Sequence, residues 1–195
     1  MLPMDAHRAL TLRTLRPVSR ILGLGLLALL PRVLPAASWG STPTNELKVV
    51  ESLDLSRYAG QWFEVARLPN LFQRQCASDT SATYTPRPDG KITVFNECRR
   101  GDGRMDRITG LAKRASPAEP NTKLRVTFFW PFYGDYWVID LDHDYRWAVV
   151  GEPRRRYFWI LSRDPTLDGP TLAGILARAR AQGYDLSKLQ MEGPP

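Results

Sequence analysis

Tyr58-Ala59-Gly60-Gln61-Trp62-Phe63-Glu64-Val65-Ala66-Arg67 decides the fold of this chain. It places Gly60-x-Trp62 at the head of one strand, and Arg163 closes another strand about a hundred residues later. In an up-and-down barrel of eight antiparallel strands, the start of the first and the end of the eighth lie at the same closed end. A glycine there lets the chain bend under the barrel. Trp62 plugs the floor, and the Arg163 guanidinium lies flat across the indole as a cation–π lid.

The rest of the chain supports the count. Segments rich in aromatic and β-branched residues fall at about 61–67, 79–85, 91–98, 106–112, 123–129, 136–140, 146–150 and 156–162. Turn residues separate them: Arg87-Pro88-Asp89-Gly90, Gly101-Asp102-Gly103, Ser116-Pro117-Ala118-Glu119-Pro120 and Gly151-Glu152-Pro153. Eight short strands without intervening helices argue for a closed barrel or a sandwich. A helix follows, started by Asp168-Gly169-Pro170 and stopped by Gly183. Its apolar stripe of Leu172, Ile175, Leu176 and Ala179 must pack on the barrel wall. Residues 53–58 read as a helical turn leading into Gly60, and Leu186, Leu189 and Met191 as a last extended piece. The expected fold is all-β: an eight-stranded antiparallel up-and-down β-barrel over residues 51–192 with one C-terminal α-helix. Residues 39–50 read as a polar linker.

The first 38 residues differ in character. Arg8, Arg13, Arg16 and Arg20 precede an apolar run from Ile21 to Leu30, and small residues follow at Ala36, Ala37 and Ser38. That is the order of a secretory signal peptide. The run is too short to cross a bilayer, which takes about 20 apolar residues. The alternative is an interfacial anchor that stays attached, with Arg32 interrupting its tail. No Cys occurs before Cys76, so a lipobox cysteine is lacking. The segment holds five Arg and one Asp, hence +4 of the formal +7 net charge. What remains is weakly basic, which argues against a nucleic-acid partner.

Cys76 and Cys98 are the only cysteines. Secretion permits a disulfide, and folding back around Pro88-Asp89-Gly90 brings the two near each other at the rim. The alternative is two free thiols.

These residues resemble the lipocalin family, and bacterial lipocalins of the outer-membrane lipoprotein type most closely. Apolipoprotein D is a more distant likeness. The resemblance covers about residues 51–192. It rests on the 58–67 stretch, on Phe129-Trp130-Pro131-Phe132-Tyr133-Gly134-Asp135-Tyr136-Trp137-Val138-Ile139, and on Tyr157-Phe158-Trp159-Ile160-Leu161-Ser162-Arg163-Asp164-Pro165. A Thr-Asp-Tyr turn of the family reads His143-Asp144-Tyr145 here, which leaves that turn's hydrogen bonding open. The resemblance implies a small hydrophobic or amphiphilic ligand, a fatty acid or lysophospholipid, carried or stored for envelope lipid maintenance. The signal segment implies secretion to the periplasm, with outer-membrane association left open; the bacterial relatives are mostly outer-membrane lipoproteins, and without the lipobox cysteine their anchoring is not carried over. Some relatives dimerise, so a homodimer stays open.

Period-two alternation outlines the lumen. Trp62 points inward, so Glu64 and Ala66 share its face; Arg163 faces the floor, so Leu161, Trp159 and Tyr157 share that face. By the resemblance Tyr84 and Asn96 also point in, with Val94 beside Asn96. Ordinary core packing is the alternative role for each aromatic. A carboxylate inside a barrel, as at Glu64, must find a partner or raise its pKa.

Loops after odd-numbered strands lie at the open mouth. They carry Arg74; Arg99, Arg100 and Arg104 against Asp102; Asp135; and Arg154, Arg155 and Arg156 against Glu152, a net +4. The closed-end loops carry −1. Arginine at a cavity mouth favours an anionic head group through forked hydrogen bonds. It also draws the mouth to anionic membrane lipid. The bland alternative is a solvated basic rim.

Catalysis finds little support. His143 is the only His beyond the signal segment and falls in a closed-end turn, outside the cavity. No His/Cys cluster offers metal ligands, no Gly-rich phosphate loop opens a helix, and no cofactor is implied. Arg100-Gly101-Asp102 reads as turn chemistry. The alternatives to a carrier are a lipocalin-type isomerase or hydrolase acting on lipid, and a ligand-free structural protein of the envelope.

Overall fold

The computed structural model describes residues 46–192; the expected signal segment 1–38 and the first part of the linker lie outside the described residues. A four-residue helix α1 (Leu55–Tyr58) leads into β1 (Gly60–Arg67). Asp54 caps the helix by accepting hydrogen bonds from the Ser56 and Arg57 amides. A 3-10 turn (Leu71–Gln73) follows, then β2 (Cys76–Pro86), β3 (Ile92–Arg100), β4 (Met105–Arg114), β5 (Lys123–Phe129), β6 (Phe132–Leu141), β7 (Trp147–Gly151) and β8 (Phe158–Ser162). Helix α2 (Gly169–Ala181) and a short β9 (Gln190–Met191) complete the domain.

From β1 to β8 each strand pairs antiparallel with the next, and β1 pairs with both β2 and β8, so the barrel closes as expected; β9 adds to β1. Its inner cluster contains Trp62, Tyr84, Val94, Val138, Val150 and Leu161. The outer cluster lies between the wall and α2, where Ile175 and Ala179 pack with Ile139, Val149, Phe158 and Ile160. Asp168 is the helix N-cap and Gly183, at φ +89°, follows its end in the left-handed region. Tyr184 then leaves no room for a side chain at Gly151: a Cβ there would collide with the Tyr184 hydroxyl.

Three local features depart from expectation. β2 begins at Cys76 and β6 at Phe132, so both hairpins reach further toward the mouth. Residues 46–50 are not a free linker: Leu47 is buried in the outer cluster and the Val50 amide donates to the Val138 carbonyl. β1 carries a bulge between Glu64 and Ala66. The extra residue breaks the alternation, so Ala66 joins Val65 in the outer cluster instead of facing the lumen.

The bulge also changes β1's neighbours. Its first half pairs with β2 from Gly60 to Phe63, whereas Ala66 and Arg67 pair with Met191 and Gln190 of β9. Just beyond β9 the Glu192 amide donates to the Val65 carbonyl, and the Glu192 carboxylate accepts from the Thr80 amide and from Arg67. The last described residues therefore fill the seam where β1 and β2 part.

Candidate functional site

The floor is built as the sequence implies. The Arg163 guanidinium lies 3.8 Å from the Trp62 ring centroid. It donates to the Gln61 carbonyl at 2.6 Å, and to those of Arg57 and Ala59 at 2.7 and 2.9 Å. Burial pulls its pKa down from the usual range. Gly60, at φ +91°, holds a left-handed turn beside Arg163 that a side chain would strain. The β6–β7 turn beside it lacks the family Thr, and Asp142 supplies the bonds. Its carboxylate takes the Arg146 fork at 2.8 Å through both oxygens and the amides of Asp144 and Arg146.

Above Trp62 three phenols meet. The Tyr136 hydroxyl lies 2.7 Å from that of Tyr58 and 2.9 Å from that of Tyr84. Burial raises all three pKa values, Tyr84 to about 12. Tyr84 and Val94 are thus part of a packed lower lumen. Asn96, higher on β3, pairs with Ala82 and Ile108, and its buried Oδ1 has no hydrogen-bond partner among the described residues. Ile108 shares that face by register and is 36% exposed, so the upper lumen opens toward solvent.

The mouth holds a polar network the alternation does not foresee. Because of the bulge, Arg67 returns to the face of Glu64 and donates to its carboxylate at 2.6 Å. Glu192 takes a second bond from Arg67 at 3.1 Å. Gln73, carried over the mouth by the 3-10 turn, donates to Glu64 at 2.8 Å and accepts from Trp159 Nε1 at 2.9 Å. Glu64 is 4% exposed. Burial raises its pKa, against the opposing pull of Arg67 and Gln73. It therefore shows both outcomes open to a buried carboxylate: partners and a raised pKa.

Under the turn lies a chamber of about 490 Å³, lined among others by Arg67, Leu71, Gln73, Arg74, Arg156 and Tyr157. Tyr157 stacks on Trp159 with ring centroids 6.0 Å apart, and Phe72 covers both rings. The expected arginines divide. Arg74 and Arg156 line the chamber. Arg99, Arg100 and Arg104 form ion pairs with Asp79, Asp106 and Asp102. Arg154 is exposed. Arg155 has a left-handed φ of 56° and turns away, donating from Nε to the Gln182 carbonyl at the end of α2. Cys76 and Cys98 are joined in a disulfide with Cα atoms 5.5 Å apart, tying the start of β2 to β3 at the rim. Among the described residues, no group of three or more His, Cys, Asp or Glu could hold a metal ion.

Arg67, Gln73 and Glu192 are the site residues the sequence reading misses. A bulge signal at Glu64-Val65-Ala66 would have been needed to find Arg67, and that stretch carries no glycine or proline to mark one.

The Lipocalin-like domain family matches residues 53–194. Temperature-induced lipocalin-1 of Arabidopsis thaliana is 41% identical over 165 residues, spanning 79% of this chain and 88% of that protein. Outer membrane lipoprotein Blc of Escherichia coli K12 is 40% identical over 155 residues, 80% of this chain and 87% of its own length. Apolipoprotein D of Macaca fascicularis is 31% identical, covering 72% and 77%. Among solved structures, insecticyanin from the tobacco hornworm Manduca sexta superposes with a TM-score of 0.61 at 24% identity, covering 76% of this chain and 84% of that one. With a closed eight-stranded barrel, an Arg–Trp floor and relatives at this identity, the chain belongs to the lipocalin family.

Proposed function

We propose that this protein binds an anionic amphiphile, a long-chain fatty acid or a lysophospholipid, and carries or stores it in the cell envelope. Lipocalins bind small hydrophobic ligands, and the Escherichia coli relative is named as an outer membrane lipoprotein. The observation that carries the reading is the half-open pocket of about 490 Å³ at the mouth, with Arg67, Arg74 and Arg156 on its walls. The head group sits among these arginines, where forked hydrogen bonds reward a carboxylate or phosphate. The tail passes Tyr157 and Trp159 toward Asn96 in the upper lumen, above the packed layer of Tyr84 and Val94, and each methylene it buries contributes about 0.8 kcal/mol. The reading is one of binding, not turnover: His143 sits in the closed-end turn, where its carbonyl accepts from Arg57.

Titration with oleate, read as quenching of Trp159 with Trp159→Phe as control, tests it. Arg74→Glu with Arg156→Glu weakens oleate about tenfold or more, as loss and reversal of two charge-assisted contacts require, and leaves neutral oleyl alcohol nearly unchanged. Equal oleate affinity in wild type and variant at low salt removes the arginines from the mechanism. Absence of saturable binding of any lipid removes the carrier function.

A further inference from the structure

Seven large apolar side chains are exposed among the described residues: Leu71, Phe72, Ile108, Phe129, Trp130, Phe132 and Met191. None lies in a closed-end turn. Five belong to the two mouth hairpins β1–β2 and β5–β6, and the tip of the latter is extreme: Phe129 is 70% exposed, Trp130 82% and Phe132 77%. A water-soluble barrel gains nothing from three bare aromatics on one turn, and a patch of that kind marks an interaction surface. Arg74, Arg154 and Arg156 rise from the neighbouring mouth loops, are exposed, and make no ion pair among the described residues. Aromatic side chains beside exposed arginines match the interface of an anionic bilayer, where rings sit at head-group level and cations meet lipid phosphate.

We infer that the protein docks mouth-first on anionic membranes, with Phe129, Trp130 and Phe132 entering the interface and Arg74, Arg154 and Arg156 holding lipid head groups. The proposal shares Arg74 and Arg156 with the cargo reading, and Trp130 and Phe132, which lie outside the mouth pocket, separate the two. A second copy of the chain is the poorer occupant, because mouth-to-mouth pairing sets these arginines against their own kind. Among the described residues no helix is long and apolar enough to cross a membrane, so attachment by this surface is peripheral.

Flotation of the full chain with vesicles tests this, using phosphatidylcholine alone or with three parts in ten phosphatidylglycerol. Every variant carries the same N-terminal segment, so differences report the mouth. Trp130→Ser with Phe132→Ser lowers partitioning at least tenfold and leaves oleate binding and the circular dichroism spectrum unchanged. Arg74→Gln, Arg154→Gln and Arg156→Gln lower it only on the anionic vesicles, by about fivefold per charge. In the otherwise unaltered chain, brominated phosphatidylcholine quenches tryptophan emission, and Trp130→Phe removes that quenching even if the double variant misfolds. Unchanged partitioning of a folded double variant overturns the proposal. So does equal binding of wild type to both vesicle types. A double variant that shifts the protein from dimer to monomer without altering partitioning assigns the patch to a second copy, and overturns it as well.

Discussion

Replacing Arg163 by Ala separates a structural floor from a binding floor. The guanidinium stacks at 3.8 Å on a fully buried indole, a contact that contributes about 1–2 kcal/mol when the ring is desolvated. It also donates to three carbonyls within 2.9 Å. Charge-assisted bonds are worth about 1.5 kcal/mol or more each, but these carbonyls lie near solvent and water recovers much of that on truncation. The net loss is about 3 kcal/mol, above what the stacking contact alone would give. For a domain of this size that lowers the melting temperature by about 6–12 °C. Arg163→Lys keeps the charge and loses the planar fork, so it recovers less than half. Urea unfolding at pH 7, read by tryptophan emission and repeated in Trp62→Phe, gives the numbers and isolates the stacking as a coupling energy. Oleate affinity stays at the wild-type value, because the mouth chamber lies at the opposite end. A loss below about 1 kcal/mol, or a weakened ligand with stability intact, would refute the account of the floor.

Glu64 has a raised pKa in the folded state, so its desolvation is absent below its ordinary value of 4.5 and fully felt above the raised one. Glu64→Gln therefore gains stability relative to wild type as pH rises through that window, and a pH-independent difference in urea midpoints would contradict this. Asp142 has the opposite sign: Arg146 and the turn amides bring it from 3.8 to about 2, so its contribution is present above pH 4 and lost as pH falls through about 2. Asp142→Asn costs about 1–2 kcal/mol at pH 7, discounted because Arg146 is largely exposed, and the gap from wild type closes in acid. Cys76→Ala with Cys98→Ala opens a loop of 22 residues and costs about 3 kcal/mol on the chain-entropy model, measured by the same unfolding assay.

The barrel is legible in the sequence because its signals are local or categorical. Gly60 and Trp62 mark a bend and a plug, turn residues set strand number, and Asp168 and Gly183 bracket α2. The mouth is less legible. One bulge after Glu64 exchanges the faces of Ala66 and Arg67, and period-two counting has no means of registering it. The three arginines at 154–156 add up as one patch on paper. In space a left-handed φ sends the middle one to the end of α2, while Arg156 reaches the chamber. Leu47 looks like linker because Leu47-Lys48-Val49-Val50 is too short an apolar run, after a polar stretch, to set a period; its burial depends on a groove made by distant strands.

The seam between β1 and β2 also bears on the order of folding. Glu192 reaches back 125 residues to Arg67 and 112 to Thr80, joining two strands that are sequence neighbours but separate at that height. No earlier residue of the domain makes those bonds. During synthesis β1 and β2 emerge first, yet their upper edges stay unpaired until everything else has been made. Contacts of such span form slowly, and open strand edges invite wrong partners in the interval. The barrel is thus a ring whose clasp is made last, and its rim stays exposed to chaperones and to misassembly until residue 192 arrives.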